Sequence, residues 1–195
     1  MERFGARSSG AAARPSYNIS PGREASVIAG GIIRVMKWGF VPDWSGGGIK
    51  EGFINARAEG IASRPAFRTA FYKSRCLVPA DGFYEWAHTA GDRVPYRFEM
   101  RDKSLFAMAG VCDESTGTFA VLTCAANALV KTAHHRMPVI LDRCYEKLWP
   151  DMRSTNTEEL LPLLRAYDSS LMSGYKISAL VNSPENDSPD CARPL

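Results

Sequence analysis

The chain has 195 residues, 45% apolar and 23% charged, with a net charge of +3, which is the make-up of one globular domain with a sizeable core. No apolar stretch nears the roughly 18–20 residues of a spanning helix and no apolar signal stretch opens the chain, so no membrane association is expected and the location is expected to be cytoplasmic. Three histidines and five scattered cysteines, none in a C-x-x-C pair, argue against a disulfide framework and a zinc site, so neither a metal nor a cofactor is expected.

The elements follow in chain order. Residues 7–16, RSSGAAARPS, are small and polar and read as a loop. ASVIAGGIIRVMKWGF holds two β-rich runs broken by Gly30-Gly31, a hairpin signal. Residues 41–52 form a Gly-rich loop around Trp44, and a short helix is expected after Pro65. Strands are expected over 75–86, 95–100, 105–112 and 118–124, with turns at HTAGDR and DESTGT. Residues 125–135 read as a helix, 139–141 as a short strand, and 142–150 as a helix capped by Asp142. A further helix spans 156–167, capped by Asn156 or Thr157, with Leu160, Leu163 and Leu164 on one face. A last strand covers 175–181, and the remainder is a turn-rich tail that either holds the site or simply ends the chain. Many short strands with few helices give an α+β, β-rich single domain over residues 1–195, with barrel-like antiparallel sheets and peripheral helices.

Charge is unevenly spread. Residues 1–80 carry twelve Lys and Arg against five Asp and Glu, whereas residues 81–195 carry twelve against sixteen. The basic part favours Arg over Lys, and the guanidinium fork suits phosphate oxygens. An anionic partner such as nucleic acid accounts for this, as does a merely solvated basic face.

Three stretches carry candidate chemistry. PADGFYEW places Glu85 between Tyr84 and Trp86 in an apolar strand, where burial raises a carboxyl toward neutral pH and suits it to proton transfer. A structural Glu–Arg pair explains it as well. INARAE sets Asn55, Arg57 and Glu59 against small alanines, which makes either a polar wall facing a ligand or a solvated strand face. AHHRMPVIL ends the expected helix with His134 and His135, as a site histidine or a C-terminal cap. In WGFVPDW, Trp38 reads as core and Trp44 as a ring free to stack on an unpaired base.

Together YNISPG, WGFVPDW, INARAE, FRTAFYKSRCLVPADGFYEW, MAGV, HHRMPVIL and VNSPENDSPDC resemble the SRAP family, the SOS response-associated peptidase-like domain. The resemblance runs from Tyr17 almost to the end. It implies a sensor of abasic sites in single-stranded DNA that forms a covalent DNA–protein crosslink. The attacking residue is a cysteine directly after the initiator methionine, which captures the sugar aldehyde as a thiazolidine and is linked to release of its own leader. Catalytic positions carried over are Asn55, Glu85 and His134. Arg57 and Arg64 match phosphate-holding arginines, and Asn18 and Trp44 lie in stretches lining the DNA groove. Replication-fork proteins are further expected partners.

The start departs from the family pattern. Here residue 2 is Glu2 and the first cysteine is Cys76, so residues 1–16 are expected to be divergent or truncated. Either ERF is a degenerate Cys-Gly-Arg-Phe, with Arg3 in a DNA-binding position, or ERFGA matches the end of the family's first helix. The second alignment is preferred. Two other functions stay open at this level: a non-catalytic single-stranded DNA binder, and a thiol peptidase using an internal cysteine with His134.

Overall fold

The computed structural model describes residues 2–8, 10, 14–46, 48, 52–89, 91–154 and 156–195. Positions 9 and 11–13 of the N-terminal loop, 47 and 49–51 of the Gly-rich loop, and 90 of the 88–93 turn lie outside the described residues.

The eleven described strands are β1 (Arg7–Ser8), β2 (Glu24–Ala29), β3 (Ile32–Trp38), β4 (Asn55–Arg57), β5 (Arg75–Ala80), β6 (Phe83–Thr89), β7 (Asp92–Met100), β8 (Phe106–Asp113), β9 (Thr118–Ala125), β10 (Arg136–Pro138) and β11 (Met172–Lys176). The described α-helices are α1 (Pro65–Lys73) and α2 (Thr157–Leu160). Eight strands form one sheet in the order β1-β3-β2-β5-β8-β9-β10, with β4 also on β9. β11, β7 and β6 form a second, antiparallel sheet.

The α+β, β-rich reading stands, with two corrections to its sheets. The large sheet is mixed, because β1 on β3, β3 on β9 and β4 on β9 run parallel. It also curls without closing as a barrel. β3 meets β9 only at Lys37↔Thr118 and Trp38↔Phe119, where Trp38 stacks on Phe119 and donates from Nε1 to the Ile54 carbonyl at 2.7 Å.

Gly30 and Gly31 both adopt positive φ, 57° and 75°, as the tight turn between β2 and β3 demands. The expected strand 75–86 divides at Asp81-Gly82. β5 stays in the large sheet and β6 starts the small one, so this dipeptide is the corner between sheets.

The expected helices after residue 124 are mostly replaced by tighter turns. Residues 125–135 hold only a 3₁₀ turn at Val130–Thr132. Asn127 Oδ1 accepts from Val130 N at 2.9 Å, a local bond that competes with helix formation. Residues 142–150 hold a 3₁₀ turn at Arg143–Tyr145; Asp142 stands at its start but turns its carboxylate to Arg165. α2 stops at Leu160 and passes into a 3₁₀ turn over Leu161–Leu163, because Pro162 lacks the N–H an α-helix needs. Asn156 does cap its start, accepting from Glu158 N at 3.0 Å. The short strand begins at Arg136 rather than 139, and Ile140 bridges to Met108. The last strand ends at Lys176, where Ser178 accepts from Leu180 N and turns the chain.

Between sheets and helices lies a core centred on Phe40, Phe67, Phe71, Phe119 and Trp149. A small separate cluster of Ile177, Val181 and Cys191 packs on Tyr84, Trp86 and Tyr175, on the other face of the small sheet.

Candidate active site

Side chains alternate along a strand, so Phe83, Glu85 and Ala87 of β6 share one face while Tyr84 and Trp86 share the other. Phe83 and Ala87 are buried, whereas the Glu85 side chain keeps 21% exposure. Glu85 Oε2 lies 3.3 Å from His134 Nδ1. Burial pushes the Glu85 carboxyl up to about 7, with Arg93 pulling weakly the other way. Arg93 is seated over the Trp86 ring, 4.7 Å from its centroid. The neighbour of Glu85 is therefore an imidazole rather than the arginine of a structural ion pair.

His134 follows the Val130–Thr132 turn, so the expected helix-end placement does not apply. Its Nδ1 is also 3.2 Å from the Arg136 carbonyl. A carbonyl only accepts, so this geometry suits the Nδ1–H tautomer and leaves Nε2 as the basic nitrogen of the neutral ring. His135 is exposed and packs edge-on against His134, ring centroids 4.4 Å apart.

The Arg136 guanidinium holds both Glu59 oxygens, at 2.5 and 2.9 Å, and the Thr123 carbonyl at 2.6 Å. That hydrogen-bonded pairing holds Glu59 below the usual carboxylate range. It also ties the histidine segment to the INARAE stretch. There Asn55 pairs with Val121 and Arg57 with Thr123 of β9; both side chains are exposed, and Ala56 and Ala58 are buried. Arg64 is exposed at the start of α1, and Trp44 is 63% exposed in the 3₁₀ turn Asp43–Ser45.

Two residues expected to contact DNA have partners within the chain. Both terminal nitrogens of Arg3 are forked onto Glu146, at 2.6 and 2.8 Å, so its phosphate-binding geometry is already occupied. Asn18 is buried, and its amide donates to the carbonyls of Val181, Ser183 and Asn186 at 3.0–3.2 Å. It holds the tail in place. Cys76, Cys112, Cys124 and Cys191 are buried and only Cys144 is exposed. Burial pushes the Cys76 thiol up and the Cys124 thiol to about 11, which opposes a thiolate peptidase built on either.

Arg136 and Arg93 escaped the sequence reading. Arg136 had a signal, since it directly follows the histidine pair. Arg93 had none, because its place over Trp86 depends on the β6–β7 register.

The family model described as SOS response associated peptidase (SRAP) matches residues 1–184. The "Abasic site processing protein YoaM" of Bacillus subtilis (strain 168) is 38% identical over 189 residues, covering 90% of this chain and 83% of the relative. The "Abasic site processing protein HMCES" of Gallus gallus is 30% identical over 231 residues, covering 93% and 67%. A crystal structure of a Bacteroides thetaiotaomicron protein superposes with a TM-score of 0.85 at 28% identity, covering all of this chain and 94% of the other. On the strength of these matches, the chain belongs to the SRAP family.

Proposed function

We propose that this chain acts on abasic sites in single-stranded DNA, and that Glu85 and His134 move the protons that open the damaged sugar and condense its aldehyde with an amine. The observation that carries this reading is a carboxyl raised to about 7 at 3.3 Å from an imidazole nitrogen, in a chain whose relatives are named abasic site processing proteins. Such a carboxyl is partly protonated at neutral pH and works in both directions. Opening the ring-closed sugar takes one proton from the C1′ hydroxyl and gives one to the ring oxygen. His134 Nε2 accepts the first and protonated Glu85 donates the second. Once an amine has added to the aldehyde, protonated His134 returns its proton to the hydroxyl that leaves as water, and the Glu85 carboxylate takes the proton the nitrogen gives up, which restores both groups.

Asn55 orients the amine, Arg57 and Arg64 hold phosphates, and Trp44 stacks on an unpaired base. The family's thiazolidine crosslink, leader release and part in the SOS response belong to the same proposal and call for a Met-Cys start. A variant with a family-type first segment, beginning Met-Cys and running through the first helix, joined ahead of Glu2 is expected to give an SDS-resistant band with a single-stranded abasic oligonucleotide, lost when the added cysteine is serine. Intact binding without any such band overturns the crosslinking reading.

The exposed Arg57, Arg64 and Trp44 also fit a second reading, a single-stranded DNA binder without covalent chemistry. Under either reading, Arg57→Ala and Arg64→Ala are each expected to weaken binding and to lower the salt slope of log K by about 0.7, the value for one single-strand phosphate contact. Fluorescence anisotropy across a salt series checks this, and unchanged slopes remove these arginines from the interface.

A further inference from the structure

The strand that carries Glu85 is held from behind. On the face opposite Glu85, Tyr84 Oη donates to the Tyr17 carbonyl at 2.6 Å and Trp86 Nε1 donates to Asn182 Oδ1 at 2.7 Å. The two side chains flanking Glu85 are thus anchored to two distant segments, the N-terminal arm and the C-terminal tail. Those segments are in turn joined to each other. Asp187 Oδ1 accepts from Tyr17 N at 2.5 Å and from Asn18 N at 3.1 Å. The buried Asn18 amide reaches the carbonyls of Val181, Ser183 and Asn186. Asn186 Nδ2 closes the tail on itself through the Leu180 carbonyl at 2.8 Å.

The apolar cluster of Ile177, Val181 and Cys191 seals this junction against Tyr84 and Trp86. The tail otherwise docks along the small sheet through Ile177 N to the Pro95 carbonyl and the Ile177↔Pro194 bridge. With both amide hydrogens shared among three carbonyls, Nδ2 has no donor left for a ligand. Its burial without those carbonyls would be costly. Its role is therefore to tie, and what it ties ends on both neighbours of Glu85.

We propose that Asn18 is a positioning residue for Glu85: it knots the N-terminal arm to the C-terminal tail, and the knot, acting through Tyr84 and Trp86, fixes the strand between them against the wall that His134 faces. The functional consequence rests on the reading that Glu85 carries the proton transfers. The positioning itself is a property of the folded chain and is measured without DNA. Because neighbouring strand residues point to opposite faces, a backbone shift that frees Tyr84 or Trp86 turns Glu85 away from His134 and lets water to its carboxyl. The charged or titratable groups placed to act on that carboxyl, among the described residues, include His134, Arg93 and Tyr96, which pairs across from Glu85 on β7. Arg93 rides on the Trp86 ring and would move with it.

The test is a carbon-13 titration of the Glu85 carboxyl in the wild-type chain, Asn18→Ala and Tyr84→Phe. Tyr84→Phe removes one hydroxyl and keeps the ring, so it gives an answer even where Asn18→Ala does not fold. Leu164→Ala, which weakens the main core elsewhere, controls for general loosening. The expected result is a midpoint lowered by at least about one pH unit in Asn18→Ala, a change in the same direction in Tyr84→Phe, and no change in Leu164→Ala, since rehydration returns a carboxyl toward its ordinary value. A folded Asn18→Ala or Tyr84→Phe chain that keeps the wild-type midpoint overturns the inference, as does an equal change in Leu164→Ala. Reaction of Glu85→Gln with abasic DNA tests the catalytic reading separately: full activity there removes Glu85 from the chemistry and leaves the titration result standing.

Discussion

Glu85→Gln is expected to yield a protein that is more stable at pH 8 and at least about 100-fold slower with abasic DNA, the loss typical of removing a general acid–base group. Burial raises the Glu85 carboxyl to about 7, so the folded state holds its proton more tightly than the unfolded state does. Below the unfolded value of about 4.3, both states are protonated and the site costs nothing. As pH rises from there through about 7, the unfolded state ionises first and stability falls. Above that window the full cost is present, at most about 4 kcal/mol, since each tenfold difference in proton affinity between the two states is worth about 1.4 kcal/mol. Gln is neutral throughout and keeps the shape, so it escapes this cost. Thermal melts are expected to separate wild type and Glu85→Gln by up to roughly 10 °C at pH 8 and to coincide at about pH 4. Coincident melts at both pH values would mean the carboxyl is not buried.

The second large effect lies in the core. Arg75 is fully buried, and its guanidinium donates to five backbone carbonyls: Trp149 at 2.6 Å, Phe71 at 2.7 Å, Tyr72 at 3.4 Å, Asp151 at 2.5 Å and Ser154 at 2.7 Å. Burial lowers its proton affinity, as expected of a charge removed from water. It binds the end of α1 to the 149–154 segment. Beside it, Trp149 Nε1 donates to the carbonyls of Cys76 and Gly110 at 3.0 and 3.2 Å. Arg75→Met matches the apolar length but takes a donor away from all five carbonyls; Asp151 O keeps Ser154 N at 3.2 Å, and desolvated groups left unpaired cost about 1–3 kcal/mol each before relaxation. The expected destabilisation is at least about 4 kcal/mol, enough to unfold many domains of this size. Urea denaturation measures it. A change under about 1 kcal/mol would show that water replaces the guanidinium at little cost.

Local chemistry made part of this fold legible. Gly30-Gly31 forced a hairpin, Pro65 opened a helix, and the apolar runs of β7, β8 and β9 lay within a few residues of their observed limits. Propensity misled where a side chain bonded its own backbone, as at Asn127 and Ser178, or where Pro162 interrupted a leucine-rich run. For the site, the alternation around Glu85 was readable because a carboxylate in an apolar strand has few explanations. The pairing with His134 required two sheets to meet and had no local signal. Asn18 and Arg3 carried the right residue types for DNA, yet they are occupied by partners more than 140 residues away in sequence. Such long-range pairing is what a single sequence hides.

Glu85 and His134 are proposed to form one proton-handling unit, and a carbon-13 titration of the Glu85 carboxyl in the unaltered chain tests this most directly. The expected midpoint is about 7, with the His134 nitrogen-15 shifts marking Nδ1 as protonated and Nε2 as the basic nitrogen of the neutral ring. A Glu85 midpoint at the ordinary glutamate value of about 4.3, with no response from His134 as Glu85 titrates, would contradict it.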